Sequence, residues 1–517
     1  MSADFDQTAP TLFDCFERSV RRAPYARALE LRDEAYSYRQ LDQYSRWLAE
    51  RMLIARGSRP ERVGLLASRS LLSFVGYLAA LRLGATVVPL NPAHPELRNK
   101  ALCSLARVDV VLADDTAVLH WERGREEARF TLLALADAAV RARPALADMP
   151  KTAPDWASYQ TTAGPDDAAC ILYASSASGR PKGVAIRHRQ ITPLIADFVE
   201  RFEVEPEARV SHTFDLSIDA SIYELFVTWA AGATLVAPQR SELLVPADHL
   251  ITGGISHLFA GPALITAGTT LDKLPLGMVK GLRYSVFFGE RLTYRQAQLW
   301  RAVAPGTVIE NVYGPMELMA ACAAYRLPAD RDQWPETPDG TVPVGRFWDG
   351  VDHVVLGDDG LEAVEGELCV RGPWQFDGYL NPVDDLRRFT SVGARTYFRT
   401  GDRVRRVGGE LIHLGRIDDQ LRLRGQRVEP GEIEALLRRH ALVADAAVIA
   451  VRGRNAEHEL VACYTGAPFD HAAMKTWLRK RIPSFMVPRR FVRLEAIPTG
   501  ADGKVDRAAL LRGLTHA

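Results

Sequence analysis

Cysteine is scarce in this 517-residue chain, and the six present (Cys15, Cys103, Cys170, Cys322, Cys369 and Cys463) lie far apart with no C-x-x-C pair. That excludes a disulfide-stapled scaffold and a paired zinc or redox motif, and it reads as reduced core cysteines of a cytoplasmic protein. An excess of either charge is also missing. Lys+Arg and Asp+Glu number 64 each, for a formal net charge of +0, so nothing draws the chain toward nucleic acid or an acidic membrane surface. No apolar run reaches the roughly 20 residues that span a bilayer. The opening Met1-Ser-Ala-Asp-Phe-Asp-Gln7 is acidic and lacks the apolar core of a secretory signal. Internal repeats and low-complexity tracts are absent. So are two familiar catalytic signatures: the phosphate loop G-x-x-x-x-G-K-[ST], and a G-x-S-x-G elbow around Ser175, Ser176 or Ser178.

What remains is an ordinary globular composition, 47% apolar and 25% charged, in a chain long enough for two or three packed units. Its patterning is α/β. Arg62 to Ala67 reads as a strand. Leu71, Phe74, Val75, Leu78 and Leu81 recur at helical spacing and stop at Gly84, and Ala85 to Leu90 is the next strand. Strand, helix and strand within about thirty residues make a βαβ unit. Val108 to Leu112 and Ala233 to Ala237 extend the strand series. Gly and Pro clusters near 328–350 suggest a change of subdomain, and a charged, turn-rich segment from Gly415 to Gly431 marks the last break. About a hundred residues follow, alternating helix (431–439) with strand (446–451), as a small α+β domain does. The expected architecture is a large N-terminal domain of βαβ-type layers followed by a small α+β domain.

The run Tyr173-Ala-Ser-Ser-Ala-Ser-Gly-Arg-Pro-Lys-Gly183 lies between two strand-like segments, 168–172 and 184–186. Small hydroxyl residues and glycine allow backbone to approach phosphate oxygens, and Lys182 adds a positive charge. Alone, such a segment serves either as a nucleotide triphosphate cradle or as a surface turn. Other constellations are equally two-sided. Asn311-Val-Tyr-Gly-Pro-Met-Glu317 groups an aromatic ring, a tight turn and a carboxylate. Arg399-Thr-Gly-Asp402 offers a carboxylate that either accepts two ribose hydroxyls or caps a loop. Gly415 to Glu434 is a charged hairpin leading into a helix, and Gly503-Lys-Val-Asp506 a turn with one lysine.

In this order these segments resemble the adenylate-forming superfamily, specifically the amino-acid adenylation domains of nonribosomal peptide synthesis. The resemblance runs from about residue 12 to 510. It also takes in Leu83 to Pro92, Ser217-Ile-Asp-Ala-Ser-Ile-Tyr-Glu-Leu-Phe226 and Ile482 to Pro488. It implies that a carboxylate is joined to the α-phosphate of ATP with Mg²⁺ present, releasing pyrophosphate, and that the acyl group then passes to a thiol. Such a reaction needs charge neutralisation and alignment more than a base. By the family pattern, Ser175, Ser176, Ser178, Gly179 and Lys182 hold phosphates and Glu317 helps hold Mg²⁺. Tyr313 stacks on adenine, Asn311 reads its edge, and Gly289 and Gly314 belong to the same nucleotide site. Asp402 binds the ribose hydroxyls with Arg416 nearby. Lys504 is the main catalytic residue, and Asp418 is the hinge about which the small domain rotates.

The resemblance also speaks to the acid. Asp219 takes the position whose carboxylate pairs with an α-amino group. Phe214-Asp-Leu-Ser217 is a competing match four residues earlier, but only Asp219 brings Tyr223 to Phe226 into register. The remaining pocket positions are Ala220, Tyr223, Phe259, Val286, Phe288, Val312, Ala320 and Ala321, none charged. Tyr223 and Phe288 are expected to fill the pocket floor, which implies a small neutral substrate, L-alanine first, with glycine, serine or 2-aminobutyrate as competitors. The same aromatics serve equally as ordinary core. Thirteen residues follow Lys504, so the resemblance implies a freestanding enzyme that loads a separate carrier protein bearing phosphopantetheine. Three residues depart from the family pattern: Ser176 for glycine, Ala177 for a hydroxyl residue and Met316 for threonine. They keep open an impaired adenylate-binding protein, beside an acyl-CoA ligase for a small acid.

Overall fold

The computed structural model describes residues 10–32, 34–121, 130–142, 163–175, 180–417, 421–423, 426–452, 458–499 and 505–515. The chain forms two compact units. One comprises Met1–Pro92, Cys103–Leu172 and Gly183–Gly415; the other comprises Ala93–Leu102, Tyr173–Lys182 and Arg416–Ala517.

The βαβ pattern is realised in the first unit. Strands Arg62–Leu66 and Thr86–Leu90 run parallel, with Val63 opposite Val87, and helix Leu71–Arg82 connects them. Ser70 caps that helix by accepting from the Ser73 amide, and Gly84 leaves it at φ +65°, a conformation that favours glycine. These strands belong to a six-stranded sheet in the order Thr131–Ala134, Val110–Ala113, Arg62–Leu66, Thr86–Leu90, Ala168–Ala174, Lys182–Arg187.

A nine-stranded sheet carries the candidate pocket. Its order is Arg346–Phe347, Ala323–Arg326, Val308–Tyr313, Tyr284–Phe288, His257–Ala260, Arg209–Ser211, Thr234–Ala237, Arg27–Leu31, Glu34–Ser37. The strands from Val308–Tyr313 to Arg27–Leu31 are parallel, and their nearly continuous apolar runs reflect burial on both faces. Register then sorts side chains. Phe259 pairs with Val286, and Phe288 with Val312. Because side chains alternate along a strand, Phe259, Val286, Phe288 and Val312 share one face. That face belongs to the main core, which also holds Phe198 and Tyr223. Leu258, Ala260, Phe287 and Ile309 lie on the other face, in a separate cluster around Trp300.

Two helices contribute to the main core beside that face. Helix Ala220–Ala231 is buried along its whole length, as expected of a helix apolar on every side, and ends at Gly232 with φ +80°. Helix His188–Arg201 buries Ile191, Leu194, Ile195 and Phe198 at spacings of three and four. A five-stranded sheet of Asp352–Leu356, Glu365–Arg371, Arg395–Val407, Phe389–Val392 and Glu410–Arg416 carries Asp402.

In the second unit, strands Val443–Arg452, His458–Gly466 and Arg490–Arg493 form a three-stranded sheet, with helices Pro430–Leu437, His471–Arg479 and Arg507–Thr515. Alternation divides the first of these strands between two cores. Ala446 and Val448 pack with Ile433, Leu437 and Leu478, while Ala447 and Ile449 pack with Leu510.

Candidate active site

Asp219 opens the buried helix Ala220–Ala231, its carboxylate accepting from the Ala220 amide at 2.9 Å. Tyr223 follows one turn later on the same side of the helix. The competing carboxylate, Asp215, is committed elsewhere. It accepts from the Ser217 amide and hydroxyl at 3.1 and 2.6 Å and lies 3.4 Å from the Arg240 guanidinium. Asp219, four residues before Tyr223, lies on the Tyr223 side of the helix.

The segment leading into Asp219 is gripped from two sides. Arg69, buried and itself at φ +55°, donates to the carbonyls of His212, Thr213 and Pro238 at 2.8, 2.6 and 2.9 Å. Glu224, wholly buried, accepts from the Thr213 amide at 2.7 Å and the Phe214 amide at 3.2 Å. Its second neighbour is His212, whose Nδ1 stands 2.8 Å away without making a hydrogen bond. The Thr213 hydroxyl donates to the Phe259 carbonyl at 2.6 Å, tying this segment to the sheet. Burial lowers the Arg69 pKa, with the Glu224 and Asp215 carboxylates opposing that shift. None of these partners is adjacent in sequence to its target, so Arg69, His212 and Glu224 are supports that no local pattern reveals.

The expected pocket positions come together as an aromatic cluster. Tyr223 and Phe288 have ring centroids 5.7 Å apart, and Phe288 meets Phe259 edge-on at 6.1 Å. Phe214 also meets Phe288 edge-on, at 6.3 Å. The Tyr223 hydroxyl donates to the Met319 carbonyl, and the Trp374 indole donates to the Ala321 carbonyl at 3.2 Å. Met319 and Ala320 sit at φ +55° and +59°, in the left-handed region that non-glycine residues seldom enter. Two such residues in succession mark a loop held by its surroundings, and strain of this kind gathers at functional sites. Gly314 lies against the same loop. A Cβ there would come within 2.5 Å of the Ala320 carbonyl carbon and the Ala321 nitrogen. Ala220, Ala320 and Ala321 are buried small residues beside the cluster.

Of the nucleotide residues expected in the first unit, Tyr313 and Asp402 meet directly. The Tyr313 hydroxyl donates to Asp402 Oδ2 at 2.6 Å, and His413 Nε2 stands 3.1 Å from Asp402 Oδ1. The Asp402 amide donates to the Thr400 hydroxyl at 3.0 Å, so this turn is fixed from within. Asn311 spends its amide N–H on the Pro343 carbonyl at 3.0 Å, which orients its side-chain oxygen as an acceptor. Gly289, at φ +82°, ends the strand that bears Phe288. Glu317 is wholly buried and accepts from the Tyr379 hydroxyl. His413 and Tyr379 are further partners that sequence reading missed.

In the second unit, Ser175 and Lys182 are buried, and Arg416 is half-buried. Ser176, Ser178, Gly179, Asp418 and Lys504, together with the departure at Ala177, lie outside the described residues. Among the described residues no group of three or more His, Cys, Asp or Glu side chains could hold a metal. Glu317 alone fits the mode in which Mg²⁺ takes one or two carboxylates and completes its shell with water and substrate phosphates. All six cysteines are free and buried. Burial pushes Cys15, Cys103, Cys170 and Cys369 up to about 12, and raises Cys322 and Cys463 as well. Thiols held this high are poor nucleophiles near neutrality. No helix among the described residues is long and apolar enough to cross a membrane.

The profile of AMP-binding enzymes matches residues 16–380, and that of the AMP-binding enzyme C-terminal domain matches residues 432–504. The chain belongs to the AMP-binding enzyme family. Over 98% of its length it is 36% identical to phosphinothricin tripeptide synthetase PhsC of Streptomyces viridochromogenes, and it spans 46% of that protein. It thus covers less than half of this relative. IdnL7, a solved structure, is 33% identical with a TM-score of 0.71, over 98% of this chain and 99% of that one. The adenylation domain AlmE of Vibrio cholerae, solved with glycyl-adenosine-5'-phosphate, shares the fold at a TM-score of 0.84. Its identity is 22%, over 100% of this chain and 99% of AlmE.

Proposed function

We propose that this AMP-binding enzyme activates a small neutral amino acid, L-alanine above all, and passes it to the phosphopantetheine thiol of a separate carrier protein. The substrate carboxylate attacks the α-phosphorus of ATP; an O–P bond forms to AMP as the bond to pyrophosphate breaks. The carrier thiolate then attacks the mixed anhydride, forming a thioester and expelling AMP. The raised cysteine pKa values support an acceptor thiol that comes from outside the enzyme. The observation that carries the reading is Asp219, placed at the start of a buried helix with Tyr223 and the aromatic cluster one turn below it. By the family pattern a carboxylate at this position receives an α-amino group, which favours an amino acid over an acid without one. Aromatic filling below it favours a small side chain. Similarity to a tripeptide synthetase supports a role in peptide-type natural products.

In this reading Tyr313 supports adenine from one side. Asn311, presenting its oxygen, accepts from the adenine amino group, and Asp402 binds the ribose hydroxyls beside Arg416. Lys182 and the serine-rich loop hold phosphates. Mg²⁺, held in part by Glu317, would offset phosphate charge. Lys504 bridges substrate carboxylate and phosphate, with domains 1–417 and 418–517 turning about Asp418. Amino-acid-dependent ATP–pyrophosphate exchange across a panel of amino acids tests the proposal. Alanine should give the highest kcat/KM, and Asp219→Ala and Lys504→Ala should each lose exchange by at least a hundredfold. Exchange supported only by acids lacking an α-amino group, or by none, would refute it.

A further inference from the structure

Phe198 sits on helix His188–Arg201, outside every segment that the pocket positions come from. It is wholly buried, yet its ring makes the closest aromatic contact of the cluster, stacked on Tyr223 at 4.4 Å and 29°. It also stacks against Phe288 at 6.0 Å and 27°. Its ring also lies nearly parallel to that of Trp348, at 5.9 Å and 9°. Trp348 is only half-buried. Its indole N–H donates to Asp197, and the Arg201 guanidinium lies 5.2 Å from its ring centroid. Asp197, Arg201 and Trp348 line an open groove of about 1550 Å³. Phe198 thus joins Tyr223 and Phe288 on one hand to Trp348, which lines the groove, on the other. Phe198 is wholly buried, and its neighbour Trp348 borders open space.

We infer that Phe198 is a specificity-determining residue, one that closes the back of the acid pocket and sets the longest side chain admitted. The inference rests on the amino-acid reading above. Phe198 packs on Tyr223 at 4.4 Å and stands beside Phe288 at 6.0 Å, so in a close-packed core it limits how far Tyr223 can retreat from a longer substrate. Truncating Phe198 would create space that Tyr223 can swing into, or that a substrate side chain can fill directly. The cavity is bounded by Trp348.

The experiment compares parent, Phe198→Ala, Phe198→Leu and Phe288→Ala in ATP–pyrophosphate exchange with alanine, leucine and phenylalanine. Phe198→Ala should raise the leucine-to-alanine ratio of kcat/KM at least tenfold, with Phe198→Leu giving a smaller rise of about threefold. A ratio within twofold of parent in both Phe198 variants, while Phe288→Ala raises it, would overturn the role of Phe198 and leave amino-acid activation standing. Absence of exchange with every amino acid in the parent would overturn activation itself and this inference with it. If Phe198→Ala fails to fold, the Phe198→Leu ratio decides.

Discussion

Replacing Glu224 by alanine should be among the most damaging single changes in the first unit that touch no expected substrate atom. Its carboxylate is the acceptor for two backbone amides, Thr213 and Phe214, and it stands 2.8 Å from His212 Nδ1. Stranding a buried donor costs about 1–3 kcal/mol, so the two amides together account for about 4 kcal/mol. Loss of the negative charge adds to this, because Arg69 keeps a buried positive charge that Glu224 helps to stabilise. At about 2 °C per kcal/mol for a large domain, Glu224→Ala should melt about 8 °C below the parent. Glutamine keeps an acceptor oxygen and should lose no more than about 1–2 kcal/mol, on the scale of one ordinary hydrogen bond. Scanning calorimetry gives the stability, and exchange kinetics give the second readout. Since the clamp positions the approach to Asp219, KM for the amino acid should rise more than KM for ATP, with partial rescue in Glu224→Gln. An alanine variant that melts within about 1 °C of parent with an unchanged amino-acid KM would refute the clamp.

Acid should weaken the first unit through three buried histidines, His188, His249 and His257, each lowered by burial from 6.5 to about 4. The unfolded chain takes up these protons first, so stability that is complete above about pH 6.5 falls progressively until about pH 4. Each histidine should remove about 2 kcal/mol by pH 5, and His249→Gln should make the melting temperature less steep in pH over that window. A slope identical to the parent's would contradict it. Gly314→Ala should force the Ala320–Ala321 backbone away, because its Cβ would lie 2.5 Å from atoms that cannot rotate aside. A loss of about 1–3 kcal/mol and a marked drop in exchange are expected; parental melting and exchange together would show that the loop yields freely.

Much of the fold was legible locally. The helix at Leu71–Arg82, its parallel strands and the strand at Ala168–Ala174 follow from spacing and punctuation that a short window contains. The small unit's helix at Pro430–Leu437 and strand at Val443–Arg452 were visible for the same reason. Sequence reading did not reveal that Ala93–Leu102 and Tyr173–Lys182 group with the C-terminal residues, since no local pattern records which distant segments touch. The site divides in the same way. Asp219 and Tyr223 are four residues apart on one helix, so their common side follows from helical geometry. The link from Tyr313 to Asp402 joins residues 89 positions apart, and that from Arg69 to Thr213 joins residues 144 apart.

By itself, then, the sequence determined the element types, the family and the residue types that can bind a nucleotide and an amino group. Periodicity and turn chemistry act within a few residues, and motif order survives without knowledge of packing. Tertiary structure alone decided that Phe259, Val286, Phe288 and Val312 share one sheet face, and that Phe198 from another helix completes their cluster. It also engages Asp215 with Ser217 and Arg240, contacts that no local pattern records. Pairing register and helix docking are properties of distant segments meeting. A one-residue slip in register would turn the same four side chains to the opposite face.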